Sequence, residues 1–212
     1  MRTKWLMTEV QVDQRTAAWR QLRRSVCLTA SCFADAVGVG RGKPYHFLQS
    51  MLEPQCDDDD SGSVYTQHGL CLEADINDAY QLLTGFKTEP SGFWIANGCS
   101  RLAGIIGASP DAKVYRNGRF VGLAEYKAPV YTLYCTGGSP RCRIPRSHMA
   151  QVQGQMAVCF APWCDYVAVC TSTQQVALLR VHFGRRYWSS VSAALKNFCN
   201  VLQVCRSHWC YR

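Results

Sequence analysis

The sequence lacks the features by which secreted and membrane proteins are commonly recognised. No segment approaches the ~20 apolar residues of a membrane-spanning helix, and the first residues do not follow the signal-peptide pattern. The sequence also lacks any pair of cysteines in Cys-x-x-Cys spacing, which is typical of zinc ribbons and thioredoxin-like redox sites. We therefore expect a protein that works inside the cell without membrane association.

Cysteine itself is plentiful, because the 212 residues include 13 scattered cysteines. We interpret them as reduced core residues of an intracellular protein, with a disulfide-stapled secreted protein as the alternative. Cys199, Cys205, His208 and Cys210 lie close together in the sequence, but their spacing fits neither a zinc ribbon nor an iron–sulfur site. We assign no metal to them.

Positive charge dominates the polar residues. Lysine and arginine total 23 against 15 aspartates and glutamates, so the net charge is +8 in spite of an acidic run at 57–60. Clustered cations suit a polyanionic partner, which they bind with salt-dependent affinity. The arginines cluster at Arg20, Arg23 and Arg24, at Arg141, Arg143 and Arg146, and at Arg180, Arg185 and Arg186.

Two segments have the composition of loops, and nothing indicates a second domain. The acidic run and residues 61–63 predict an exposed loop, without the glycine and glutamate spacing of a calcium loop. The Gly-, Pro- and Arg-rich stretch 137–145 predicts a loop that lines the path of the nucleic acid. With this length and no internal repeat, we expect a single domain over 1–212.

The most informative pattern is a set of polar residues in the middle of the chain. Asp111 ends a Ser-Pro-Asp segment, Glu125 and Lys127 share one face of a predicted strand, and Gln151 lies on a predicted helix. Carboxylates are preferred ligands of Mg²⁺, which lowers the pKa of its bound water. A lysine beside the metal offsets charge that develops on a phosphate. This set of residues therefore predicts phosphodiester hydrolysis.

The register of the predicted hairpin bears on this site. The Asn-Gly pair at 117–118 indicates a two-residue turn. Regular pairing about that turn would set Asp111 opposite Ala124 and leave Glu125 on the other face. We therefore predict a β-bulge, best placed at Gly122, or an irregular segment around Asp111. The alternative is an ordinary surface hairpin with scattered charges.

The pattern of apolar residues predicts an α/β domain with one mixed sheet between helices. Helices are predicted at 13–24, directly after Thr29, and at 45–52, 65–83 and 185–204. A further helix carries Gln151 and has five residues on its core side: Met149, Val152, Met156, Cys159 and Phe160. Strands are predicted at 92–95, 102–107, 113–116, 120–127, 164–170 and 175–183.

Five separated segments appear in an order that is typical of one enzyme family. They are the stretches 19–31 and 68–79, the Ser-Pro-Asp element, the Glu-x-Lys-x-Pro element at 125–129, and the Met-Ala-Gln-Val-Gln element at 149–153. Together they resemble the phage lambda-type exonucleases, the YqaJ-like viral recombinase family of PD-(D/E)XK nucleases. The resemblance covers nearly the whole chain from about Trp19. It implies a restriction-endonuclease-like fold and a Mg²⁺-dependent 5′-to-3′ exodeoxyribonuclease.

The resemblance also implies roles for residues of the central pattern. Asp111 and Glu125 are expected to be the metal ligands, and the backbone carbonyl of Tyr126 completes the shell. Lys127 is expected to be the catalytic lysine, and Gln151 orients the lysine or the attacking water. Mg²⁺ is the expected metal, with Mn²⁺ as an alternative.

Residues outside the central pattern receive roles from the same resemblance. Glu73 is expected to support the metal site from a second helix. By its spacing alone it lies off the apolar stripe of that helix, on a solvated face. Arg24, Thr29 and Ser31 resemble the pocket that holds a 5′-phosphate. Thr29 and Ser31 are also good helix N-caps, and capping is the alternative for each. We leave His148 out of the catalytic set.

These interpretations lead to one preferred function and two alternatives. We expect a Mg²⁺-dependent exodeoxyribonuclease that degrades one strand of duplex DNA from its 5′ ends in recombination or repair. The resemblance implies a homotrimer and a single-strand annealing protein as a partner. The alternatives are a nicking or junction-cleaving endonuclease of the same fold and a catalytically inactive DNA-binding module.

Overall fold

The computed structural model describes residues 8–53, 64–97, 101–133 and 144–209. The predicted acidic loop, most of the predicted loop at 137–145, Arg141, Arg143 and Cys210 lie outside the described residues, so their interpretations stay predictions. No helix in the described segments is long and apolar enough to cross a membrane.

The helices follow the predicted pattern with shifted ends. They are α1 (Ala17–Arg24), α2 (Phe33–Ala36), α3 (Pro44–Leu52), α4 (Val64–Thr84), α5 (Arg146–Cys159) and α6 (Arg185–Trp209). Helix α1 starts later than predicted because the Thr16 side chain caps it by accepting a hydrogen bond from Trp19 N. A 3₁₀ turn at Ala30–Cys32 precedes α2, so the short helix predicted after Thr29 is divided in two. Gly85, with φ 69°, ends α4 as predicted.

The strands form two mixed sheets, whereas the sequence predicted one. They are β1 (Thr8–Val10), β2 (Leu28–Thr29), β3 (Lys87–Pro90), β4 (Phe93–Ile95), β5 (Ile106–Ala108), β6 (Ala112–Arg116), β7 (Arg119–Lys127), β8 (Trp163–Val169) and β9 (Val176–His182). One sheet has the order β1-β4-β5-β2 and the other has the order β3-β6-β7-β8-β9. The predicted strand 92–95 corresponds to β4, and the predicted strand 102–107 overlaps β5 but starts too early, because residues 101–105 form turns. Strands β1 and β2 contain too few residues for an alternating pattern, which is why the smaller sheet was not recognised as separate.

The predicted bulge is present one residue before the expected position. Strands β6 and β7 are antiparallel, and their register shifts between the pair Tyr115–Phe120 and the pair Val114–Gly122. Val121 is therefore the extra residue. Beyond the bulge the next pairs run up to Ala112–Ala124, so the register brings Asp111 level with Glu125. The prediction of a bulge is confirmed.

Helix α5 packs against α2, α6 and strands of both sheets, including β5 and β8. It packs closely because Gly154 has no side chain: a Cβ atom there would lie 2.4 Å from the ring of Phe33. The core side of α5 is as predicted for Val152, Met156 and Cys159, which are buried. Phe160 is the exception, because it adopts a left-handed conformation after the helix end and is 43 % exposed.

The cysteines of the described segments are free thiols. Cys159, Cys164, Cys170 and Cys199 are buried, and Cys27, Cys32, Cys71 and Cys205 are more accessible. Burial raises the pKa of the Cys159 and Cys164 thiols well above the ordinary value, so these two remain protonated and act as small apolar core residues.

One arginine of the predicted basic clusters has a structural partner. The Arg180 guanidinium contacts both carboxylate oxygens of Asp165 at 2.8 Å and lies 3.7 Å from the centre of the Trp163 ring. Asp165 is buried on β8, and its Oδ2 also accepts a hydrogen bond from the Tyr80 hydroxyl at 2.7 Å. Arg180 therefore neutralises a buried acid, and the basic cluster loses one of its three side chains.

Candidate active site

The centre of the site is Glu125, which is 1 % exposed and receives three hydrogen bonds. Lys127 Nζ lies 2.5 Å from Glu125 Oε1, because both side chains leave the same face of β7. Gln151 Nε2 donates to the same oxygen at 2.6 Å, and Gln155 Nε2 donates to Glu125 Oε2 at 2.7 Å. The structure thus brings together three residues that the sequence placed in the site, with Gln155 added from the next turn of α5.

Asp111 joins this centre from the residue that precedes β6. Its Oδ2 accepts a hydrogen bond of 2.6 Å from Tyr126 N. Burial first, and then the negative charge of Glu125, raise the pKa of the Asp111 carboxyl well above its ordinary value. Glu73 adds to the effect, whereas Lys127 and the Tyr126 N–H oppose it. The protein alone therefore leaves the negative charge of Asp111 incompletely compensated, which favours a bound cation.

Glu73 contributes a further carboxylate from α4 and has a partner that the sequence analysis missed. The Arg15 Nη2 atom lies 2.6 Å from both Glu73 oxygens. Arg15 stands 58 positions away from Glu73, and the sequence analysis placed it within the predicted helix 13–24, whereas α1 begins at Ala17. Spacing offered no signal for this contact.

The donor set fits Mg²⁺. A carboxylate offers about four lone-pair positions, and three on Glu125 are taken, so one remains for a cation. Asp111 accepts a hydrogen bond from Tyr126 N, and no group of three His, Cys, Asp or Glu side chains forms a cage within the described segments. Mg²⁺ commonly takes only one or two carboxylates and keeps water as its other ligands. Asp111 and Glu125 would hold it, and the role of the Tyr126 carbonyl stays a prediction.

The structure brings together two of the three residues of the predicted phosphate pocket, and whether they bind phosphate stays a prediction. The Thr29 and Ser31 hydroxyl oxygens are 3.1 Å apart, and the Thr29 hydroxyl makes no cap hydrogen bond to the 3₁₀ turn that it precedes. Arg23, rather than Arg24, donates to Ser31 Oγ, at 3.3 Å. Arg24 is exposed at the end of α1. The arrangement brings hydroxyl groups and a guanidinium together, as an anion site requires.

Arg23 could have been preferred over Arg24 from helical spacing. Trp19 and Arg23 are four residues apart, and the guanidinium carbon of Arg23 lies 4.5 Å from the centre of the Trp19 ring. Burial lowers the pKa of the Arg23 guanidinium, which nonetheless stays charged. Trp19 in turn donates from Nε1 to Ser109 Oγ at 2.8 Å, so this face of α1 is linked to the segment that leads into Asp111.

His148 lies beside Lys127, in the first turn of α5. Its Nδ1 atom is 2.7 Å from the Tyr166 hydroxyl. Burial first, and then the positive charges of Lys127 and Arg41, lower the pKa of His148 to about 4. The imidazole is therefore neutral near pH 7 and adds no charge to the site.

Two comparisons of sequence gave different results. A family model described as the YqaJ-like viral recombinase domain matches residues 18–166, which include the whole central pattern. No curated protein matches the chain significantly.

Solved structures show the fold. An alkaline exonuclease from Laribacter hongkongensis, LHK-Exo, is 20 % identical with a TM-score of 0.72, over 92 % of this chain and 96 % of that chain. LHK-Exo in complex with dAMP is 21 % identical with the same coverage and TM-score. A phage-related exonuclease from Haemophilus somnus 129PT is 12 % identical with a TM-score of 0.52, over 85 % of this chain and 96 % of that chain. The predicted α/β, restriction-endonuclease-like fold is confirmed.

Proposed function

This chain belongs to the YqaJ-like viral recombinase domain family, and we propose that it is a Mg²⁺-dependent exodeoxyribonuclease. It shortens one strand of duplex DNA from the 5′ end. The observation that carries the proposal is the meeting of Glu125, Lys127 and Gln151 around one carboxylate oxygen, with Asp111 brought level by the bulge.

Each group of this centre has a task in phosphodiester hydrolysis. A metal held by Asp111 and Glu125 would supply polarisation of the phosphoryl oxygen and a more acidic bound water. Asp111 and Glu125 provide the negative charge that holds the metal. Lys127 places an ammonium where charge develops on the phosphate, and its contact with Glu125 fixes its direction. Gln151 and Gln155 keep the Glu125 carboxylate in one orientation.

The pocket formed by Thr29, Ser31 and Arg23 supports an exonuclease. It offers hydroxyl and guanidinium donors for a terminal phosphate, while Trp19 links its helix to the segment before Asp111. An enzyme that begins at a DNA end requires such a site, whereas an endonuclease does not. Arg24, at the end of the same helix, is proposed to contact DNA at the rim of the pocket.

Further properties belong to the proposal through the family alone. We propose a homotrimer that works with a single-strand annealing protein in DNA recombination or repair, and an intracellular location in keeping with the free thiols. Mn²⁺ is expected to replace Mg²⁺, since both accept oxygen ligands.

The decisive experiment compares blunt duplexes with 5′-phosphate and 5′-hydroxyl ends in the presence of Mg²⁺. The wild-type protein should release mononucleotides stepwise from the phosphorylated end and act more slowly on the hydroxyl end. Lys127→Ala should lose ~10²- to 10³-fold in rate, the usual cost of removing one stabilising donor. Lys87→Ala, at an exposed lysine of β3, is the control and should match the wild type.

Two results would contradict the proposal. Closed circular DNA cut as fast as linear DNA would indicate an endonuclease. Equal activity of Lys127→Ala and the wild type would show that the Glu125–Lys127 centre has no catalytic role.

A further inference from the structure

Arg15 has an unusual backbone for a residue with a long side chain. Its φ angle is 68°, in the left-handed region that glycine prefers. Residues held in this region are strained and occur more often at functional sites than elsewhere. The strained backbone at Arg15 therefore indicates that this residue has a function in addition to turning the chain.

Hydrogen bonds on either side of Arg15 hold its segment against the end of β6. Gln14 Nε2 donates to the carbonyls of Pro110 at 2.9 Å and Ser91 at 3.1 Å. On the other side Thr16 caps α1. The backbone of Arg15 is thus fixed relative to Asp111, which follows Pro110 directly.

The guanidinium of Arg15 uses one of its nitrogen atoms for Glu73. Both hydrogen bonds to the Glu73 carboxylate come from Nη2, and within the described segments Nε and Nη1 form no hydrogen bond. The two side chains are 43 % and 33 % exposed, and an ion pair so exposed adds little to stability. The pair orients the guanidinium, and one of its edges stays open.

Arg15 also lines a cavity of about 560 Å³. The cavity is lined by the segment 11–15, by residues 90–92, and by Glu73, Asp111 and Tyr126, among others. Arg15 is the only cation among its described lining residues, which include the acids Asp13, Glu73 and Asp111. An anionic ligand in this cavity would therefore meet Arg15 as its one protein cation.

We propose that Arg15 is a phosphate-binding residue that grips a deoxynucleotide phosphate in this cavity while Glu73 holds the guanidinium in place. A guanidinium presents parallel N–H groups that match phosphate oxygens, so its Nε and Nη1 edge suits this ligand. The inference rests on the proposed function, because a nuclease substrate supplies the phosphate. The phosphate belongs either to the DNA strand or to the released mononucleotide.

The test measures binding rather than cleavage. Arg15→Gly is placed in the Lys127→Ala background, and the affinity for a labelled 5′-phosphorylated duplex in Mg²⁺ is measured by fluorescence anisotropy between about 50 and 200 mM salt. Glycine suits the backbone at this position, so the variant should fold and melt at or above the temperature of its parent. Gln174→Gly is the matched control, since Gln174 has φ 56° in an exposed turn that does not line the cavity.

Loss of one phosphate contact has a defined signature. The plot of log affinity against log salt should become shallower by about 0.9, and affinity near 0.1 M salt should fall by roughly 10-fold. The Arg15→Lys variant should keep the salt slope but bind DNA more weakly, because lysine retains the charge and lacks the paired N–H donors of a guanidinium. Binding of dAMP, measured by calorimetry, identifies the source: weakening in Arg15→Gly indicates the nucleotide, and no change indicates the DNA strand.

A salt slope for Arg15→Gly equal to that of Gln174→Gly would overturn the phosphate role. Such a result would leave the proposed function intact, because the cleavage assays do not involve Arg15. If the Lys127→Ala parent cleaved the duplex at the wild-type rate, the proposed function would fail instead.

Discussion

Glu125 and Asp165 are buried carboxylates on neighbouring parallel strands, but their surroundings differ. Asp165 faces one guanidinium in a two-point contact and one tyrosine hydroxyl, so its charge is neutralised. Glu125 faces one ammonium and two amides, and it lies close enough to Asp111 to raise the pKa of that carboxyl. With Glu73 the second region holds three acids against Lys127 and Arg15, an excess of one negative charge.

The difference separates a structural ion pair from the proposed functional site. A buried acid with a matched cation is complete in the protein alone, and a buried excess of negative charge requires something that the chain does not contain. Two glutamines of α5 also differ in whether the protein satisfies their polar atoms. Gln153 Oε1 accepts from Gly184 N at 2.8 Å, whereas Gln155 Oε1 is buried and has no partner in the described segments.

The largest expected effect on the cleavage rate comes from removing an acid near Glu125, where the acids outnumber the cations. Asp111→Asn should lower the cleavage rate by about 10³-fold, the upper end for loss of one stabilising group. It should also raise the melting temperature of the metal-free protein, because the raised pKa shows that the charged form is disfavoured in the folded state. Cleavage assays and thermal unfolding in EDTA measure both effects.

The same variant has a pH signature. The folded Asp111 carboxyl binds its proton more tightly than the unfolded one, so its contribution to wild-type stability falls as pH rises from the ordinary carboxyl pKa to the raised folded value. Asp111→Asn should lack this part of the decrease. Identical pH profiles of stability for the two proteins would show that Asp111 is not under electrostatic strain.

Substitutions at the Asp165–Arg180 ion pair should change stability and leave catalysis unchanged. Arg180→Met keeps the contact with Trp163 but leaves Asp165 buried without a cation, which should cost about 3 kcal/mol of unfolding free energy. We take the lower end of the usual range because the Arg180 side chain is 38 % exposed. Urea unfolding measures the loss, and the folded protein should cleave DNA at the wild-type rate. Adding Asp165→Asn should recover part of the stability, and a further loss instead would argue against the ion pair.

Substitutions of Gln155 and Gln153 test the same contrast between catalysis and stability, with smaller expected effects. Gln155→Met removes the donor to Glu125 Oε2 and should lower kcat by about 10- to 100-fold, as for other residues that orient a metal ligand. Gln153→Met should lower stability without changing kcat, because Gln153 bonds to the backbone of His182 and Gly184. Equal effects of the two variants on kcat would remove the distinction between them.

The smallest effect is expected at the bulge. Deleting Val121 should convert the β6–β7 hairpin to regular pairing with Ala112 still opposite Ala124, so Asp111 stays level with Glu125. Cleavage should persist, with a change in unfolding free energy below about 1 kcal/mol. Loss of cleavage in a folded deletion variant would mean that the bulge itself shapes the site.

The β6–β7 hairpin shows which structural features can be predicted from local sequence and which cannot. The Asn-Gly turn and the two-residue spacing of Glu125 and Lys127 obey short-range geometry, so the strand, the shared face and the need for a bulge follow from the sequence. The bulge itself falls at Val121 rather than Gly122. The reason is tertiary, since Gly122 lies in the regular pairing and a Cβ atom there would lie 2.5 Å from the Trp163 ring.

What the sequence by itself determined is which polar side chains meet at the candidate site: Asp111 before β6, Glu125 and Lys127 on one face of β7, and Gln151 on α5. What only the tertiary structure decided is the partner of each remaining charge. Arg15 contacts Glu73, and Arg23 rather than Arg24 contacts Ser31. Arg180 forms an ion pair with Asp165. Contacts between residues far apart in the chain depend on how sheets and helices pack, and no local period encodes that packing.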